Sequence, residues 1–332
     1  MATNPFDIFS VAEITDSINI LPNKYGMLEG MNLFPVKDAM SDIVLIEENN
    51  GSLALLPTAA RGSPGTVNDR KKRKARTFQI PQIPHDDHVK PADVDKLRRR
   101  GEMSRETLEN FLNDRLQEMK NKHDITLEWL RFGALKGLIV DADGSTIYDL
   151  HAEFGVPQFV ETFDLANPAS NILKHCLNVK RRMEKQAQGE RFTGIQAIVD
   201  KDFYDGLVDH PKVKAAFDNW QAAQDRLGGD MRTGFTFGGL TFMEYAASAA
   251  QPSGAVVDFI APGTGHSFPV GTIETFNTYV APADFNETVG KSGQLYYAKV
   301  EEAEFQRGYN IHTQSNPLPM TKRLGMLAKL VA

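Results

Sequence analysis

A chain of 332 residues is long enough for two or three domains and a sizeable core, and 41% hydrophobic with 24% charged residues is ordinary globular composition. A net charge of -6 weighs against a dedicated nucleic-acid binder, since sequence-independent DNA affinity comes from neutralised phosphates. One cysteine, Cys176, excludes an internal disulfide and a cysteine-rich zinc site, and no run of 18 apolar residues offers a membrane span. Met1 to Ser10 lacks a basic stretch followed by an apolar core, so no secretory signal is expected and a reducing cytoplasm is the expected site of synthesis.

Residues 1–35 read as an arm. Ser10-Val11-Ala12-Glu13 fits a capping box, which predicts a short helix to Asn19. Phe6, Phe9, Ile14, Ile18, Tyr25 and Phe34 are apolar anchors in a segment too short for its own core, so the arm needs a surface, its own chain's or a neighbour's. A long β-hairpin follows. Ile43, Leu45, Leu53 and Leu55 alternate around the turn signal Asn49-Asn50-Gly51, Arg61-Gly62-Ser63-Pro64-Gly65 marks a loop tip, and Thr77 to Ile83 resumes an extended pattern closed by Pro81 and Pro84. A two-stranded projection is marginal alone in water and implies docking elsewhere.

The returning limb of that hairpin carries Arg70, Lys71, Lys72, Arg73, Lys74 and Arg76, six cations in seven residues. Three readings compete: nucleic-acid binding or a targeting signal, a solvated loop, and contact with acidic surface on an identical copy. These six residues, with Phe6 and Phe9, are the candidate inter-subunit contacts.

From Ser104 to Gly137, Leu108, Leu112, Leu116, Met119, His123, Leu127, Leu130 and Ala134 recur at steps of four and three, the period of one helix face. Ser104 is the expected N-cap and Gly137 the left-handed terminator. Leu138 to Asp141 and Thr146 to Leu150 flank the hairpin signal Asp143-Gly144, where Asp141-Ala142-Asp143-Gly144 lacks the spacing and closing Glu of a calcium loop. Helices are predicted over Pro168 to Gln188, with Ile172, Leu173, Cys176 and Leu177 inward, and over Asp202 to Val208 and Pro211 to Trp220. Gly194 to Val199 reads as a strand, and Thr236 to Val331 as mainly β-structure.

The candidate catalytic motifs fail one by one. Gly290-Lys291-Ser292 resembles the end of a phosphate loop, but Phe285 stands where a glycine is required, and a strand is predicted where a helix must follow. Gly265-His266-Ser267-Phe268-Pro269 has Pro269 in place of the second glycine of a nucleophile elbow. His85-Asp86-Asp87-His88 offers metal-ligand types, yet neighbours on an extended loop point different ways. His123, on the apolar helix face, is expected to be hydrogen-bonded at a packed interface. No catalytic, cofactor or metal residue is nominated, and the chain is read as a non-enzyme.

The order of parts resembles the major capsid proteins of tailed bacteriophages, with the Hong Kong 97-type fold, and within them the lambda-like major capsid protein E family. The stretches that carry it are Arg98-Arg99-Arg100 leading into a helix that ends at Leu135-Lys136-Gly137, Ile195-Gln196-Ala197-Ile198-Val199-Asp200, and Gln314-Ser315-Asn316-Pro317-Leu318-Pro319 before the apolar Leu327 to Val331. The resemblance implies an α+β fold with an N-terminal arm (1–37), an extended loop (38–95), a peripheral domain (96–165) with its spine helix (104–136), an axial domain (166–305) and a C-terminal return (306–332). It implies self-assembly into hexamers and pentamers of an icosahedral shell around double-stranded DNA. The implied partners are identical subunits, a portal, a scaffold and a decoration protein, with no membrane. The protein would be located in the virion after assembly in the host cytoplasm. An encapsulin-like compartment is the alternative, and a soluble hydrolase the remote one.

Overall fold

The long helix forms where its periodicity predicts. It runs from Arg105 to Lys136, 32 residues, or roughly 48 Å at 1.5 Å per residue. Leu112, Leu116, Met119, His123, Leu127, Leu130 and Ala134 are all buried. Gly137 closes it at φ 77°, its N–H donating to the Ala134 carbonyl at 3.3 Å. A side chain would not fit there, because a Cβ would lie 2.3 Å from the His151 ring. The computed structural model describes residues 11–20, 26–48, 74–93, 105–227 and 233–332, so the expected cap Ser104 lies outside them, and the Leu108 side chain is likewise not described.

The described residues divide into two compact units. The first takes those up to Val44, with Thr77–Arg131 and Asn277–Met320. Its main sheet is antiparallel, in the order Tyr297–Glu302, Tyr309–Ser315, Ile83–Val89. The predicted N-terminal helix is present as Val11–Ile20 and lies on its own chain. Ile14 and Ile18 join Leu112, Leu116, Met119 and Ile311 in one apolar cluster. Thr15 does more than pack. Its hydroxyl donates to the Ala298 carbonyl at 3.2 Å and accepts from the Ala298 N–H at 3.3 Å, while Asn19 Nδ2 donates to the Tyr296 carbonyl at 2.9 Å. The helix thus satisfies the outer edge of Tyr297–Glu302, which would otherwise be open to a further strand.

The second unit takes Leu45–Arg76, Phe132–Phe276 and Thr321–Ala332. Its six-stranded sheet runs Val160–Thr162, Ala328–Val331, Thr264–Val270, Gly194–Val199, Leu240–Glu244, Thr233–Phe237. Thr264–Val270 is antiparallel to both of its neighbours. Alternate residues of these strands, among them Ala197, Val199, Leu240, Phe242, Ala328 and Leu330, face the helices Ile172–Ala187, Lys201–Asp209 and Pro211–Leu227 and build the main core.

Several expectations need correction. In the helix Ile172–Ala187 the inward set is Ile172, Cys176, Val179 and Met183, and Leu173 is 48% exposed. The true spacing of four, three and four displaces the apolar stripe from Leu173. Burial pushes the Cys176 thiol up to about 12, as befits a small core residue. Ile43–Glu48 pairs with Lys74–Gln79, and its buried residues are Val44 and Ile46, whereas Ile43 and Leu45 face outward. A shift of one residue exchanges the faces of a strand. Leu53, Leu55 and both turn signals, Asn49-Asn50-Gly51 and Arg61 to Gly65, lie outside the described residues. Pro84 does not close a strand but sits within Ile83–Val89, an outermost strand, where a missing N–H is tolerated. The hairpin Leu138–Val140 with Thr146–Asp149 forms as expected, its turn held by Asp143 accepting from the Ser145 N–H at 2.8 Å.

Candidate functional site

The basic run is the first candidate surface for joining copies of this chain. Phe6, Phe9 and Arg70 to Arg73 lie outside the described residues, and Lys74 is placed only as the first residue of its strand. Arg76 is the one nominated side chain with a described position. Its guanidinium lies 5.3 Å from the centre of the Phe154 ring of its own unit, a cation–π contact.

The sequence reading missed a set of exposed apolar residues. Met40, Val256, Ile273, Val289 and Phe305 are each at least 69% exposed. Phe305 is the extreme, 84% exposed, and it occupies the left-handed region at φ 59° between the strands Tyr297–Glu302 and Tyr309–Ser315. Arg307 stacks on its ring at 5.5 Å. Glu301, Glu302 and Glu304 around it are exposed, so an aromatic stands in an acidic turn. A lone Phe in an acidic turn is the signal that could have nominated it.

The histidines of the first unit are explained by their partners. Thr313 donates to the His85 carbonyl at 3.0 Å, which leaves its oxygen to accept from His123 Nε2–H, also at 3.0 Å. Burial first, then His85, His312 and Lys122, push the His123 imidazole down to about 4. Lys122 Nζ donates to His85 Nε2 at 3.1 Å, and burial followed by the Lys122 charge lowers His85. His85 to His88 lie in a strand rather than a loop: His312 pairs with Asp86, and His88 bonds Asn310 at 2.8 Å. Among the described residues no group of three His, Cys, Asp or Glu is placed to hold a metal ion.

A run of buried charge follows on the same helix face. Arg131 pairs with Glu29, Glu128 accepts the Leu28 N–H at 2.8 Å, and Asp124 accepts the Tyr296 hydroxyl. Burial is the main cause raising both the Asp124 and the Glu128 carboxyl.

Two serines remain. Ser267 is buried mid-strand and donates to the Ala328 carbonyl at 3.5 Å, far from any strand-to-helix elbow. Ser170, His175 and Glu161 form a triad-like row at 3.5 and 2.7 Å, but Ser170 donates to the Phe163 carbonyl at 2.6 Å and is itself buried. The His175–Glu161 contact ties the helix Ile172–Ala187 to Val160–Thr162, while Asn171 caps that helix by accepting from the Lys174 N–H. The row does not present a nucleophile.

The model of the phage major capsid protein E family matches residues 10–332. The chain belongs to the phage major capsid protein E family. The major capsid protein of Pseudomonas phage KPP10 is 29% identical over 306 residues, covering 87% of each chain. That of Salmonella phage Felix O1 is 27% identical over 354 residues, covering 98% of this chain and 96% of the relative. A crystal structure described as a prophage capsid protein from E. coli CFT073 aligns over 100% of both chains with a TM-score of 0.58 at 13% identity, a likeness of fold. The α+β Hong Kong 97-type architecture expected from the order of parts is therefore the fold of this capsid protein E member, and its function is that of a major capsid protein. No helix among the described residues is long and apolar enough to cross a membrane.

Proposed function

We propose that this capsid protein assembles into hexamers and pentamers of an icosahedral shell that encloses double-stranded DNA. In this reading, residues 1–37 act as an arm, 38–95 as an extended loop, 96–165 with 306–332 as the peripheral domain, and 166–305 as the axial domain. The chain acts by association and catalyses nothing. Identical subunits are its main partners, with a portal, a scaffold and a decoration protein joining the shell, which is built in the host cytoplasm and ends in the virion. What supports the reading beyond family membership is the isolated surface: both units have closed apolar clusters, yet Phe305, Val289, Ile273 and Met40 stand in solvent. Aromatic anchors held ready before contact are what association surfaces require.

The basic run Arg70 to Arg76 is proposed to dock on acidic surface of a neighbouring copy. Each exposed pair is worth only ~0.2–1 kcal/mol, but the pairs repeat around every ring of subunits. Particle mass by sedimentation tests the shell itself, and a small uniform oligomer would overturn it. Changing Lys71, Lys72, Arg73 and Lys74 to Gln is expected to lower DNA-free assembly yield and to flatten its dependence on salt, which screens such pairs beyond about 10 Å at 0.1 M. Unchanged yield and salt dependence would defeat the docking of the run while leaving the shell intact.

A further inference from the structure

The face of the six-stranded sheet opposite the main core carries polar side chains on three adjacent strands, with Ile198 and Phe268 beside them. Lys329 stands directly across from His266, and His266 across from Ile198. Gln196, two residues before Ile198 in the same strand, shares that face. The end of the long helix supplies a fourth group, Lys136. Gln158 Nε2 donates to the Lys136 carbonyl at 3.1 Å, and the Lys329 N–H donates to the carbonyl of the next residue, Phe159, at 2.9 Å. One short segment thus ties the helix end to the strand of Lys329.

This is a costly arrangement of buried polar groups. His266 is only 8% exposed, and among the described residues neither of its ring nitrogens has a hydrogen-bond partner. Gln196 Oε1 is buried without a partner. The Lys329 ammonium has no acidic partner among the described residues. Burial, then the charges of Lys136 and Lys329, push the His266 imidazole down to about 3. Burial and Lys329 push the Lys136 ammonium down to about 8. The His266 imidazole therefore feels Lys136 and Lys329 as like charge, which an anion placed among them would reverse.

We propose that Lys136, Gln196, His266 and Lys329 form a binding site for a single oxyanion, and that a side-chain carboxylate of a second copy of the chain occupies it. Two ammonium groups can donate to both oxygens, and the Gln196 amide, turned to present its N–H, supplies a further donor. The burial of His266 selects the source. A duplex rides on projecting cations, whereas His266 lies nine-tenths buried and admits only a slender group. A second copy offers carboxylates in excess, 43 against 37 lysines and arginines. Only the source of the carboxylate rests on the shell reading; the site does not.

Inorganic phosphate serves as the probe, titrated calorimetrically into the full chain at constant ionic strength held with chloride. One phosphate per chain is expected, bound roughly ten- to a hundredfold more weakly by Lys329→Gln, the loss expected for a charged hydrogen-bond partner. Lys136→Gln should weaken it alike, and circular dichroism of both variants confirms folding. Phosphate should also lower wild-type assembly yield and leave that of Lys329→Gln unmoved. No binding, or equal binding by folded variants, overturns the site. Binding that leaves assembly untouched but yields to a duplex oligonucleotide overturns the second copy as occupant. Failure to form particles at all, with phosphate binding intact, falls on the shell reading instead.

Discussion

The two units are held together in different ways. The core of the second is apolar: Phe163 packs edge to face on Phe203 and Phe242, and Phe235 on Phe217 and Trp220, among aliphatic residues with Cys176 as a small filler. The buried face of the first unit mixes leucines with Lys120, His123, Asp124, Glu128 and Arg131, all on one helix and all nearly inaccessible. Apolar burial is non-directional and indifferent to pH. Buried charges and edge hydrogen bonds are directional, so the first unit fixes a particular register of arm, helix and sheet and should answer to solution conditions that leave the aromatic core of the second unmoved; in the second unit it is His266, on the opposite face of the sheet, that shares this response to pH.

The largest expected effect lies in the apolar core. Phe242→Ala removes a ring in contact with Phe163 and Phe203 and should cost about 3–5 kcal/mol. Urea unfolding at pH 7 and pH 5 should give the same loss. A loss that varies with pH would blur the contrast between the units.

The next effect is acid sensitivity centred on His123. Its folded pKa is depressed, so the unfolded chain takes up the proton first and stability falls as pH drops from about 6.5 toward about 4. Above that window the contribution is fully present. The shift corresponds to at most on the order of 3 kcal/mol. Asp124 and Glu128, whose carboxyls are raised, act in the opposite sense and add stability as pH falls. His123→Gln isolates the histidine: it should flatten the fall in unfolding free energy between pH 6.5 and 4. An unchanged slope would place acid sensitivity elsewhere.

The smallest effect tests the edge contact. Thr15→Val keeps the shape but leaves the Ala298 N–H and carbonyl without Thr15, for a loss of about 1–2 kcal/mol. Amide exchange at Ala298 should quicken while the amides of Gly194–Val199 stay protected. Equal loss of protection at both would mean that the two units open together.

How much of this was legible in the sequence follows from the range of each interaction. The long helix was readable to within a residue, because its face repeats locally from Leu112 to Ala134 and Gly137 ends it. The sheet order was not. Neighbouring strands of the second unit come from residues near 160, 330, 265 and 195, and no local pattern records who lies beside whom. His123 could be assigned to a packed interface, yet its partner Thr313 is 190 positions away. The row of Lys136, Gln196, His266 and Lys329 escaped notice for the same reason, and His266 was weighed only as part of a failed serine motif. The exposed Phe305 was visible as a letter but not as an exception, since burial is a property of the folded chain.

The edge contact of the N-terminal helix also has a consequence in time. Thr15 and Ala298 are 283 positions apart. At synthesis rates of about 5–20 residues per second, the helix waits roughly 15–60 s before its docking strand exists. During that interval Ile14 and Ile18 can meet the long helix of their cluster but not Ile311 or Ala298, so the first unit cannot close until those residues are made. The sheet edge at Ala298 is therefore protected by a helix made 283 positions earlier, and the two halves of that contact reach each other only after everything between them has been synthesised.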